Sequence, residues 1–222
     1  MGSASENGGT EGLKFRMSKE GVFVIYTKIP QDGNLYMEGK AGDSNSRYYL
    51  QNEMLVEGEG DFSIEPSDDV YRITINFNSL KMTTEKIKGV RAIWGATYNT
   101  IGDLKYVGNG IFKADNCKIE FVSADRPQTN PPSWLSWVEE RYYFIANVND
   151  VEKCWGRMDG ISAERPVGGE PLSFYELGEF NWDQWEHLWK MSGSLDLKKA
   201  TISINTNKDN MMIHEFSNIV PM

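Results

Sequence analysis

The chain has 222 residues, 40% of them hydrophobic and 25% charged, and carries a formal net charge of −9. That is room for one large or two small domains with a real core, and it excludes global disorder and a general nucleic-acid binder, which needs a basic face to displace counterions from phosphates. Seven Trp, ten Tyr and ten Phe stand against two His and two Cys, which argues against a histidine- or thiolate-based metal site, a cofactor held by one, and a His-assisted nucleophile.

Residues 1–12 read as a polar leader, with no basic or apolar segment of the kind that makes a signal peptide, so the chain reads either as cytoplasmic or as an exported precursor already trimmed. No apolar run approaches the roughly 18 residues of a membrane-spanning helix. From there the dominant signal is period-two alternation in short runs. Residues 22–29 put Phe23 and Ile25 on one face and Val22, Val24 and Tyr26 on the other. Residues 70–77 put Tyr71, Ile73, Ile75 and Phe77 on one face, with Arg72, Thr74 and Asn76 opposite. Residues 118–122, 142–148 and 201–205 read as further strands. Turn residues cluster at Gln31-Asp32-Gly33-Asn34, Gly108-Asn109-Gly110 and Asn207-Lys208-Asp209-Asn210. The pattern is all-β, of the sandwich type. One short helix is expected over 181–190, capped by Asn181, with Trp182, Trp185 and Trp189 on one face.

A weak internal repeat divides the chain. The strand at 23–29 leads through a polar turn to Leu35-Tyr36-Met37-Glu38-Gly39, and the strand at 142–148 leads similarly to Cys154-Trp155-Gly156-Arg157. This predicts two tandem β-sandwich modules, 13–87 and 88–222, with the boundary near the polar stretch 83–89. The first lacks an equivalent of the strand Val90-Arg91-Ala92-Ile93-Trp94 that opens the second, so it reads as truncated. Cys117 and Cys154 are too few for a disulfide framework; two separate buried thiols is the preferred reading and a single bridge the alternative.

The strings at 21–28 (Gly21-Val22-Phe23-Val24-Ile25-Tyr26-Thr27-Lys28), 70–78 and 104–112, and Trp185 to Lys190 before a closing strand, resemble segments of the SusE/SusF-type surface glycan-binding lipoproteins of Bacteroidetes. The resemblance covers 13 to about 216. It implies tandem Ig-like or carbohydrate-binding-module-like sandwiches and capture of starch or another neutral polysaccharide. It also implies a cell-surface position, with outer-membrane anchoring in the native precursor, beside a glycan-transport complex. The signal and the lipidation Cys of that family are not in this chain.

Sugar rings offer an apolar C–H face and a rim of hydroxyls, so a site wants aromatic platforms beside polar side chains. Two segments fit. In Asn130-Pro131-Pro132-Ser133-Trp134-Leu135-Ser136-Trp137 the prolines stiffen a loop carrying two Trp; each Trp either plugs the sandwich edge or faces a ligand. In Trp155-Gly156-Arg157-Met158-Asp159 strand alternation puts Trp155, Arg157 and Asp159 on one face, a guanidinium donor and a carboxylate acceptor beside a ring. A core Trp beside a surface Arg–Asp pair is the plainer alternative. Tyr98 and Trp182 are weaker candidates, while Trp94, Trp185 and Trp189 are expected in the core.

The carboxylate pairs Asp68-Asp69 and Glu139-Glu140 point to opposite faces of a strand and form no acid/base couple. His187 and His214 are expected to be exposed or capping. The oxygen-rich stretch 147–152 lacks EF-hand spacing and reads as a turn. The expectation is a non-catalytic glycan binder without metal or cofactor. A protein–protein adaptor module of a surface glycan-uptake complex is the alternative.

Overall fold

The computed structural model describes residues 13–29, 34–41, 44–60, 62–95, 98–121, 141–155, 172–173 and 188–222. Among them the chain is nearly all β, with one short 3-10 turn at Gly193–Leu195 and no α-helix. The strands are β1 (Arg16–Lys19), β2 (Val22–Thr27), β3 (Asn34–Leu35), β4 (Met37–Ala41), β5 (Ser44–Gln51), β6 (Met54–Glu57), β7 (Phe62–Ser63), β8 (Val70–Asn76) and β9 (Lys81–Trp94). Then follow β10 (Thr100–Asp103), β11 (Lys105–Gly108), β12 (Ile111–Ile119), β13 (Arg141–Val148), β14 (Val151–Trp155), β15 (Leu172–Ser173), β16 (Trp189–Lys190), β17 (Lys198–Lys208) and β18 (Met211–Pro221).

The chain forms two compact units, each discontinuous in sequence. The first comprises Met1–Ile87, Val107–Gly110 and Thr206–Met211; the second comprises Lys88–Tyr106, Ile111–Asn205 and Met212–Met222. The polar stretch 83–89 is not a loop. It lies inside the 14-residue strand β9, which the cross-strand partners Thr84 and Glu85 stitch to Ile73 and Arg72 of β8.

In the first unit the antiparallel order is β1-β2-β8-β9-β6-β5-β4. The alternation read at 70–77 works as expected: Tyr71, Ile73 and Ile75 enter a core with Ile25, Ile29, Met37, Leu55 and Ile64, and Phe77 packs at its margin. On the opposite face Arg72 pairs with Glu85 at 3.0 Å. β5 obeys the same rule. Tyr48 and Leu50 pack on this core, so Arg47, Tyr49 and Gln51 take the other face. Asn52 and Glu53, both left-handed at φ 51° and 64°, turn β5 into β6.

In the second unit β13 pairs with β14, β16 and β9, and the order β11-β12-β17-β18-β15 makes a second sheet. β13 is buried on both faces, which explains its run of apolar residues. Tyr143 and Ile145 join Ile93, Cys154 and Leu188 in one cluster. On the other face Tyr142 and Phe144 meet His214, whose ring also lies 4.7 Å from Trp189 and 6.4 Å from Phe216.

Several expectations are corrected here. His214 is neither exposed nor a cap: it is fully buried, and its Nε2 lies 2.7 Å from the Tyr142 hydroxyl. Trp189 and Lys190 are strand, pairing with Tyr142 and Arg141, so the helix expected over 181–190 does not extend to them; 181–187 lie outside the described residues. The strand read at 118–122 is the end of β12, which begins at Ile111 and stops at Ile119. Two other expectations hold: Cys117 and Cys154 are separate buried thiols, and Asn149-Asp150 is a turn, joining β13 to β14 at φ 50° and 66°.

Candidate functional site

Of the residues singled out by chemistry, Trp134, Trp137, Arg157, Asp159 and Trp182 lie outside the described residues. Trp155 does not: it is fully buried, with its ring 5.9 Å from Phe112. It is a core side chain and presents no face to a ligand, so the constellation expected around it loses its platform. The reason lies in β14, whose Cys154 and Trp155 are both buried, opposite Ile145 and Phe144 of the doubly buried β13. Trp94 and Trp189 are core residues as expected. Tyr98 is 52% exposed. It sits left-handed at φ 63° beyond β9, with its backbone N–H donating to the Trp94 carbonyl at 2.9 Å. Partial burial moves its hydroxyl pKa upward.

The combination of ring, guanidinium and carboxylate does occur among the described residues, on the outward face of β4–β5–β6 in the first unit. The Arg47 guanidinium lies over the Tyr36 ring, 4.2 Å from its centroid. Its Nη1 donates to Glu59 Oε2 at 3.2 Å. Glu38 stands directly opposite Arg47 on β4 and is exposed. Tyr49, two residues along β5, shares the face with Arg47. Tyr36 remains 47% exposed.

Local backbone chemistry sets this arrangement. Glycines at 58 and 60 allow the chain after β6 to fold back on Tyr49. A Cβ at Gly60 would sit 2.5, 2.7 and 2.9 Å from three atoms of the Tyr49 ring at once, so any larger residue there must push the ring aside. Gly58, at φ 152°, would bring a Cβ to 3.2 Å of the same ring, while its N–H donates to the Arg47 carbonyl at 2.9 Å. Tyr49 is thereby braced from one side. The Arg47–Glu59 pair holds the guanidinium on Tyr36, although Glu59 is 86% exposed and such a pair contributes about 0–1 kcal/mol to stability. Its consequence is geometric: it orients a five-donor fork over the Tyr36 ring and against the Glu59 carboxylate, on the face that also carries Glu38 and Tyr49.

The sequence does not mark this face out, because the tryptophans and the second half of the chain carry the more conspicuous patterns. The available signal was the alternation in Ser46-Arg47-Tyr48-Tyr49-Leu50-Gln51, followed by an Asn-Glu turn and Met54-Leu55-Val56. Among the described residues no group of three or more His, Cys, Asp and Glu is placed to hold a metal ion, and no helix is long and apolar enough to cross a membrane. No protein-family model matches the sequence, and no curated protein matches it.

Proposed function

We propose that this protein is a non-catalytic carbohydrate-binding protein that holds a neutral polysaccharide at a cell surface during glycan uptake, in the manner of the SusE/SusF-type proteins its strands resemble. The observation that carries the reading is the Tyr36–Arg47–Tyr49 face with Glu38 and Glu59 at its rim. The exposed Tyr36 ring and the half-buried Tyr49 ring supply area for the C–H face of a sugar. The guanidinium donates to vicinal hydroxyls, and the carboxylates accept from them with charge-assisted strength. The acidic rim and the chain's net charge of −9 favour a neutral glycan over a uronate or sulfated one. A flat site of this kind competes with water at every contact, so affinity is modest and grows when several sugar units engage together.

The test is electrophoresis in gels cast with starch, other neutral glucans, mannan and an acidic polysaccharide, using the whole chain. Retardation by a neutral polysaccharide, lost in Tyr36→Ala, supports the reading. Absence of retardation in every gel refutes it, and release of reducing ends from any of these glycans refutes its non-catalytic part. The same rings and Arg47 have the composition of a protein-interface anchor; capture of a transport-complex protein through this face, with no glycan bound, would make the chain an adaptor instead.

A further inference from the structure

A second feature of the first unit lies apart from that face. Two left-handed turns, Asn109-Gly110 before β12 (φ 52° and 70°) and Asp209-Asn210 between β17 and β18 (φ 52° and 62°), rim a cleft of about 430 Å³. Leu13 and Ile25 contribute its apolar floor, and Lys14, Asn109, Asp209 and Asn210 line its mouth.

The mouth is built rather than incidental. The Met17 N–H donates to Asn210 Oδ1 at 2.8 Å, and the Asn207 side-chain amide donates to the Lys14 carbonyl at 2.9 Å. Arg16 Nε donates to the Thr206 carbonyl at 3.0 Å, and the Thr206 hydroxyl donates to the Gly110 carbonyl at 2.9 Å. These ties lock the 206–210 turn against the segment that enters β1. They also fix Asn210 by its oxygen, so its amide N–H groups are held in one orientation at the rim. The lining therefore offers one cation, one carboxylate and two amides besides Asn207, whose amide already donates to the Lys14 carbonyl, with no net charge, beside a small apolar floor. The volume falls within the usual range for a small-ligand pocket.

We propose that this cleft is a separate binding site for a single neutral sugar ring. The floor covers the ring's C–H face, Asp209 accepts from its hydroxyls, and Asn210, Asn109 and Lys14 donate to them. The balance of charge argues against an anionic ligand, since Asp209 opposes it at the mouth, and against a cation, since Lys14 does. The two amides match hydroxyls, which donate and accept at one atom. This site does not depend on the sheet face, as no residue is shared between the two.

The experiment is an amide-resolved NMR titration of the whole chain with glucose, galactose and mannose, with glucuronate and alanine as the charged and zwitterionic comparisons. The expected result is that at least one neutral monosaccharide shifts the amides of 109–110 and 206–210. Asp209→Gly and Asn109→Gly, which retain the left-handed turns, each weaken that binding about tenfold, the size expected from losing one polar contact; Tyr36→Ala leaves it unchanged. The proposal is overturned if none of the three sugars shifts these amides, if alanine or glucuronate shifts them more strongly, or if both glycine variants bind as the wild type does. Shifts confined to 36–60 would overturn the cleft while leaving the sheet face standing.

Discussion

Gly102 in β10 gives the most decisive test of how the second unit is packed. A Cβ there would lie 2.6 Å from the Cys117 sulfur and 3.2 Å from the Ala114 Cβ, where relaxed contacts are about 3.5–4.0 Å. The sulfur has little room to retreat. Cys117 is 5% exposed and its Sγ lies 3.5 Å from the Ala114 carbonyl, at a register shift in β12 between Ala114 and Cys117. Gly102→Ala is therefore an overpacking mutation, with an expected cost of about 1–3 kcal/mol. The assay is urea denaturation of the wild type, Gly102→Ala, Cys117→Ala and the double variant. Removing the sulfur removes the steric conflict, so the alanine penalty should shrink by about 1 kcal/mol or more in the Cys117→Ala background. Equal penalties in both backgrounds would refute the packing described for β10 and β12.

Other outcomes follow from the same structure. Burial, and secondarily the charge of Glu152, push the Cys154 thiol up to about 12. The unfolded thiol ionises near its ordinary value while the folded one does not. The protection is therefore complete below about pH 9 and is lost as pH rises towards 12, about 4 kcal/mol in all; urea midpoints measured from pH 8 to 11 should fall, and fall less in Cys154→Ala. Tyr142→Phe removes the 2.7 Å contact with His214 Nε2 from a fully buried cluster, so urea denaturation should show a loss of about 1–3 kcal/mol, and an unchanged midpoint would contradict the contact. Gly60→Ala must displace the Tyr49 ring, so it should weaken glycan retardation in affinity gels while Gly193→Ala, which meets nothing within 4 Å, should not.

The sequence made the strands legible wherever one face is apolar and the other polar. Residues 70–77 are the clear case, because Tyr71, Ile73 and Ile75 point to one core and Arg72 to solvent-side Glu85. β13 was legible as a strand but not in its surroundings, since a strand buried on both faces carries no alternation to orient it. The polar residues Thr83, Thr84, Glu85 and Lys86 do not read as strand, yet pairing with β8 holds them extended regardless of side-chain hydropathy, and the passage from the first unit to the second falls inside β9, between Ile87 and Lys88. The burial of His214, and the choice between core and platform for Trp155, escape a local reading for a related reason. Burial of a polar or amphipathic side chain is decided by partners distant in sequence, here Tyr142 and Phe112, which no local pattern reveals. The Tyr36–Arg47–Glu59 arrangement likewise assembles three separate segments.

The central claim is that the outward face of β4–β5–β6 holds a glycan. Its most direct test is the retention of wild type, Tyr36→Ala and Tyr49→Ala in an affinity gel containing the polysaccharide that retards the wild type, with thermal midpoints measured on the same samples. Tyr36→Ala removes an exposed cation–π contact and leaves both members of the Arg47–Glu59 pair in place, at a cost of about 1 kcal/mol or less, so its midpoint should move by no more than about 4 °C. The account predicts that retention falls about tenfold or more in Tyr36→Ala, and clearly in Tyr49→Ala, at nearly unchanged stability. Variants retarded as strongly as the wild type would contradict it.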